Sequence, residues 1–203
     1  SNGDVRWWDF SPTAAKLVYI AQQSAANVSD LYTVNLDGTN NTKIDPALPV
    51  GGQVETLNGN DPVEVSRDGN KIVYIAEQNT AGVFEIFSVN WDGSSHTRLN
   101  APLIANGDVY GLRVSPDSQT VVYQADQDTD GVIELYRVGI DGVGRLKVSG
   151  SMVSGGGVVP GAWGTQNMEI TNDSKYVVFY ADKDTDGVIE LYAAKLDGSA
   201  VYK

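Results

Sequence analysis

One pattern constrains this chain more than any other: a block with fixed internal spacings occurs four times. Aligning Ser11, Ser66, Ser115 and Thr171 places an aromatic eight residues later in every copy, at Tyr19, Tyr74, Tyr123 and Phe179. A second aromatic follows thirteen residues on, at Tyr32, Phe87, Tyr136 and Tyr192, and an Asp-Gly pair begins five residues beyond it. Those pairs are Asp37-Gly38, Asp92-Gly93, Asp141-Gly142 and Asp197-Gly198. The anchors stand 55, 49 and 56 residues apart, so the length varies between copies and not within them. The variable stretches, Pro46 to Asn60 and Gly150 to Gly164, are rich in Gly, Pro and Asn and read as surface loops.

Each copy spells strand, turn, strand, hairpin, strand, turn, strand. Lys71 to Ala76 and Thr120 to Ala125 are β-branched and aromatic runs bounded by turn residues, and they supply second strands. Third strands are expected at Val83 to Asn90 and Val132 to Ile140, each ending at the Asp-Gly turn. Short outer strands follow at Thr42-Lys43-Ile44 and Thr97-Arg98-Leu99, and inner strands precede the anchors at Val63 to Val65 and Gly111 to Val114. The strands do not alternate cleanly between apolar and polar, which predicts sheets covered on both faces. Four-stranded units at this period are the signature of a propeller. The expected fold is all-β: one propeller region over residues 1–203, with antiparallel four-stranded blades at about 1–48, 49–101, 102–151 and 152–203.

Charge excludes one class of partner. With 14 Lys and Arg against 26 Asp and Glu, the net charge of −12 repels a phosphate backbone, so nucleic acid is not expected. The absence of cysteine removes disulfides and thiolate metal sites. No apolar run approaches the roughly 20 residues that a membrane-spanning helix needs.

The copies resemble the TolB-like β-propeller family. The matching stretches are Phe10-Ser11-Pro12, Asp61-Pro62 with Val65-Ser66-Arg67-Asp68-Gly69, Val114-Ser115-Pro116-Asp117, and Glu-Leu-Tyr at Glu134 to Tyr136 and Glu190 to Tyr192. The resemblance spans nearly the whole chain. Copy one departs from it with Thr13-Ala14 where Asp-Gly is expected, and copy four opens Thr171-Asn172-Asp173-Ser174. Members of that family usually close with six to eight blades, so four blades leave a piece of a larger propeller, a closed four-blade ring or an open array completed by another chain, and an incomplete propeller or an assembling subunit is the preferred expectation. Prolyl-oligopeptidase-type peptidases carry similar propellers, but a G-x-S-x-G nucleophile elbow is missing here. The resemblance implies a fold and a style of binding, not a reaction.

The sharpest candidate chemistry lies in two hairpins, ADQDTDGVIELY from Ala125 and ADKDTDGVIELY from Ala181. They place Asp126, Asp128 and Asp130, and Asp182, Asp184 and Asp186, at alternate positions before Gly131 and Gly187, with Glu134 and Glu190 at position nine. Ca²⁺ takes six to eight oxygen ligands, and Asp at positions one, three and five before a glycine is how calcium loops supply them. The EF-hand closes with a ligand at position twelve between helices, whereas these loops join strands and look more like the calcium hairpins of integrin-type blades. Asp, Thr and Gly also make a solvated turn without any metal. Copies one and two support that second reading, since they keep the hairpin length with Gln22, Ser24, Ala26 and Glu77, Asn79, Ala81.

Trp7, Trp8 and Trp163 lie on or before inner strands, where flat aromatics present a partner or ligand face or pack between blades. Trp91 is expected in the core. His96 stands in a polar turn with no second histidine, and reads as a surface residue. Together these features point to a non-enzymatic protein-interaction or structural scaffold, self-associating or binding a protein partner in an extracytoplasmic setting. The alternative is a ligand-binding or accessory propeller of a larger carbohydrate-active or peptidase enzyme.

Overall fold

The computed structural model describes residues 3–54, 62–159 and 168–203. These residues form sixteen strands in four antiparallel sheets, with no helix among them. The first sheet is β1 (Val5–Phe10), β2 (Lys16–Ala25), β3 (Val28–Asn35) and β4 (Thr42–Lys43), and the second is β5 (Val63–Val65), β6 (Lys71–Ala76), β7 (Glu85–Asn90) and β8 (Thr97–Arg98). The third is β9 (Val109–Val114), β10 (Thr120–Ala125), β11 (Glu134–Gly139) and β12 (Leu146–Lys147). The fourth is β13 (Met168–Ile170), β14 (Tyr176–Ala181), β15 (Glu190–Lys195) and β16 (Val201–Tyr202). The expected second strands β6 and β10 hold to the residue; the third strands start two residues late, because 83–84 and 132–133 belong to the hairpins.

The repeated residues explain the register. The two aromatics of each copy pair directly across the middle ladder: Tyr19 with Tyr32, Tyr74 with Phe87, Tyr123 with Tyr136 and Phe179 with Tyr192. Their ring centroids lie 5.4, 5.7, 5.4 and 5.8 Å apart, within the range where aromatic pairs attract beyond their area burial. The Asp-Gly turn closes each third strand with glycine at positive φ: 82° at Gly38, 81° at Gly93, 87° at Gly142 and 75° at Gly198. A side chain there would be strained.

Successive side chains on a strand point to opposite faces, so each blade has an upstream face and a downstream face. Val18, Ile20, Leu31 and Ile44, on the downstream face of blade 1, pack with Ile72, Tyr74, Ala76, Phe87 and Val89 on the upstream face of blade 2. Val73, Ile75, Ile86 and Leu99 then pack with Leu112, Val121, Tyr123, Ala125, Tyr136 and Val138 of blade 3. Val122, Leu135 and Val148 pack with Met168, Ile170, Val177, Phe179, Ala181 and Tyr192 of blade 4. The same structural positions therefore build all three junctions. Among the described residues, no core cluster joins blade 4 to blade 1.

Polar bonds repeat with the apolar ones. The amides of Val54, Val109 and Val158 donate to the carbonyls of Ser29, Phe84 and Ile133 in the preceding blade at 2.8, 3.0 and 2.7 Å. The hydroxyls of Thr33 and Ser88 donate forward to the carbonyls of Trp91 and Ile140 at 3.0 and 2.9 Å. The turns after β9 and β13 carry Ser118 and Ser174 at φ of 63° and 56°, where blade 2 has Gly69. Each serine hydroxyl accepts from an amide of the preceding blade, Asp68 at 3.1 Å and Asp117 at 3.0 Å, which offsets the unfavourable backbone.

Candidate functional site

The first Asp of each acidic hairpin is a turn cap. Asp126 accepts the Gly131 amide on one oxygen at 3.1 Å and the Asp108 amide on the other at 2.6 Å, so it ties the hairpin to the connection entering the same blade. Asp182 does the same with Gly187 at 3.0 Å and Gly157 at 2.7 Å. These two amide bonds hold the Asp182 carboxyl below the usual carboxylate range. In blade 2 the Glu77 carboxylate takes the Gly82 amide at 2.8 Å. Gly82, Gly131 and Gly187 all have positive φ, so blades 2, 3 and 4 share this turn position whatever the charge, whereas in blade 1 the strands run on until Ala25 pairs with Val28 and the positive φ falls at Asn27.

Position nine belongs to an ion pair. Lys147 Nζ lies 3.0 Å from Glu134 and 3.3 Å from Asp128, and Lys203 Nζ lies 2.6 Å from Glu190 and 4.0 Å from Asp184. The tyrosine hydroxyls of Tyr136 and Tyr192 donate to the same two glutamates at 2.9 and 3.1 Å. Blades 1 and 2 carry the equivalent pairs, Asp30 with Lys43 and Glu85 with Arg98. Sequence reasoning missed this cation, although its signal was present: a Lys or Arg stands thirteen residues after the acid in all four copies. Asp130 accepts a 3.4 Å bond from Asn106, and Asp186 lies against Gly155. Among the described residues, no three His, Asp or Glu side chains are grouped to hold a metal ion.

The tryptophans separate. Trp7 pairs across the ladder with Ile20 and packs into the blade 1 to blade 2 core, while Trp8 pairs with Tyr19 and is 57% exposed on the other face. Trp163 lies outside the described residues. Trp91 is half-buried against the same core as Trp7. His96 is a correction to expectation: it is half-buried, with Nε2 2.5 Å from the Tyr74 hydroxyl and its ring against Phe87, and burial lowers its pKa. It borders a cleft of about 680 Å³ between the blade 2 hairpin and residues 102–106, whose Glu85, Arg98 and Asn79 bond one another.

Two sheet faces are left with exposed apolar side chains. On the upstream face of blade 1, Val5, Trp8, Phe10, Leu17, Tyr19 and Val34 line an apolar groove of about 410 Å³. On the downstream face of blade 4, Tyr180 and Leu191 stand side by side, 46% and 52% exposed, beside half-buried Val178.

No family description matches the chain, and no curated protein does. Solved structures do. A putative TolB from Agrobacterium tumefaciens superposes with a TM-score of 0.59 at 20% identity, over 96% of this chain and 62% of that one. The fold is that of the TolB-type propeller blade. An oligogalacturonate lyase in complex with manganese aligns with a TM-score of 0.61 at 17% identity, over 94% of this chain and 48% of the lyase. A prolyl endopeptidase aligns with a TM-score of 0.64 at 13% identity, over 98% of this chain and 29% of the peptidase. This TolB-type array thus spans less than two thirds of each of these proteins.

Proposed function

We propose that the chain is a non-enzymatic protein-interaction and structural module of TolB-type blades that works outside the cytoplasm. The observation that carries this reading is the pair of exposed apolar sheet faces: extended apolar surface of this kind marks contact with another protein. The hairpin acids support it, because their first and ninth positions are spent on internal ties. The extracytoplasmic setting rests on the resemblance to TolB-like propellers and on the acidity of the chain. No helix among the described residues is long and apolar enough to cross a membrane.

The test is association. Light scattering on the purified chain, followed by chemical cross-linking in an extract of its source, is expected to give either a self-associated species or a stoichiometric protein complex. A chain that stays monomeric and cross-links to nothing refutes the reading. A second reading, an accessory propeller of a carbohydrate-active or peptidase enzyme, draws on the likeness to the lyase and the endopeptidase, of which the chain spans 48% and 29%. A longer parent reading frame that encodes a hydrolase or lyase domain beside these blades would favour it over the first.

A further inference from the structure

We propose that the two open faces cover each other between copies: the downstream face of blade 4 in one chain docks on the upstream face of blade 1 in a second chain. This deepens the reading of the chain as an interaction module by naming the partner. The argument is that each open face already has a partner inside the molecule, at every internal junction.

Leu17, Tyr19, Ala21, Tyr32 and Val34 of blade 1 occupy the positions of Ile72, Tyr74, Ala76, Phe87 and Val89, which are buried against blade 1. Tyr19, Ala21 and Tyr32 are already at most 6% exposed, so the open part of this face is Val5, Trp8 and Phe10 with half-buried Leu17 and Val34. Tyr180 and Leu191 occupy the positions of Ile20 and Leu31, of Ile75 and Ile86, and of Gln124 and Leu135, all at most 2% exposed. The polar tie repeats as well. Val5 pairs with Ala21 as Val54 pairs with Ala76, Val109 with Ala125 and Val158 with Ala181. Those three valines are at most 2% exposed, whereas Val5 is 57% exposed. In the docked pair the Val5 amide meets the carbonyl of Ile189, which takes the position of Ser29, Phe84 and Ile133. Ile189 is 60% exposed. The turn glycines agree: an added Cβ would lie within 3.4 Å of the preceding blade at Gly93, Gly142 and Gly198, but Gly38 has nothing within 4 Å.

The junction is heterologous, and one local feature opposes it. At the inner strands Arg113 pairs with Glu64 of the preceding blade at 2.7 Å, and Glu64 also takes the Val114 amide at 2.6 Å. The corresponding residues between copies are Asp9 and Glu169, two carboxylates. Their repulsion makes association stronger at higher salt. Asp9→Arg recreates the in-chain pair and frees the Phe10 amide, which Asp9 now accepts at 2.7 Å, to meet Glu169 as Val114 meets Glu64.

The experiment is sedimentation-equilibrium analysis by ultracentrifugation of the wild-type chain and of Val5→Glu, Leu191→Glu and Asp9→Arg. All three sites are exposed, and circular dichroism checks that each variant folds. The wild type is expected to associate, Val5→Glu and Leu191→Glu to do so at least 30-fold more weakly, and Asp9→Arg about tenfold more tightly. Mixing Val5→Glu with Leu191→Glu is expected to restore a one-to-one pair, because each retains the face the other lacks. A monomeric wild type, an indifferent Leu191→Glu, or a mixture that fails to pair overturns the proposal. A monomeric chain that cross-links to a different protein leaves the broader interaction role standing while this partner falls.

Discussion

Asp45 shows how a single position sets a pH dependence. It shares the Lys43 ammonium with Asp30, accepts the Leu31 amide at 2.8 Å, and keeps a second oxygen buried without a hydrogen bond. Burial pushes its carboxyl up to about 7, above the ordinary value of 3.8. The folded chain therefore holds a proton that the unfolded chain has released across the window from about 4 to 7, and stability falls as pH rises through it. The same position in blade 2 is Asn100, whose side-chain oxygen takes the Ile86 amide at 3.0 Å without a charge. Asp45→Asn is thus expected to stabilise the fold above pH 7 by ~1–3 kcal/mol and to flatten that slope, measured by urea unfolding at several pH values. His96 acts with the opposite sign. Its pKa is lowered by burial, so its contribution is present above the ordinary value of 6.5 and is lost as pH falls.

At the scale of the element, the hairpins separate what they display from what they use. Asp126 caps two amides, so Asp126→Ala is expected to cost about 1–3 kcal/mol of stability, read from denaturant midpoints. Asp130→Ala, which removes one long contact at the surface, is expected to stay within about 0.5 kcal/mol. If the acids are ties and not ligands, calorimetric titration of a chelator-treated sample with Ca²⁺ yields no binding heat and chelator leaves the melting temperature unchanged. The strands were legible in the sequence because aromatic pairs and Asp-Gly turns leave a fixed period. The hairpin chemistry was not, since alternate Asp before Gly is written identically for a cation loop and for a capped turn. What the sequence left unseen is the pairing of β12 with β11, which lays Lys147 beside Tyr136 and so within reach of Glu134.

At the scale of the whole molecule, blades 2 and 3 are packed on both faces and blades 1 and 4 on one. Stability in such a stack is a sum of unit and nearest-neighbour contributions. In the Leu191→Glu chain, hydrogen exchange is expected to be slowest in β6, β7, β10 and β11 and faster in β2, β3, β14 and β15; uniform protection across all four blades would contradict this. The number of blades could be read from the repeat, and so could the covering of both faces, which holds for blades 2 and 3 and not for the outer faces of blades 1 and 4. Which face meets which required the structure, because a strand's own residues do not say what lies opposite them. The three junctions also carry a consequence for how such a chain changes over generations. Since one set of apolar positions recurs at each boundary, duplicating or deleting a blade leaves the apolar faces matched at every remaining boundary, and blade number becomes a trait that a single recombination alters, with the inner-strand charges at Glu64, Arg113 and Glu169 left to be re-paired.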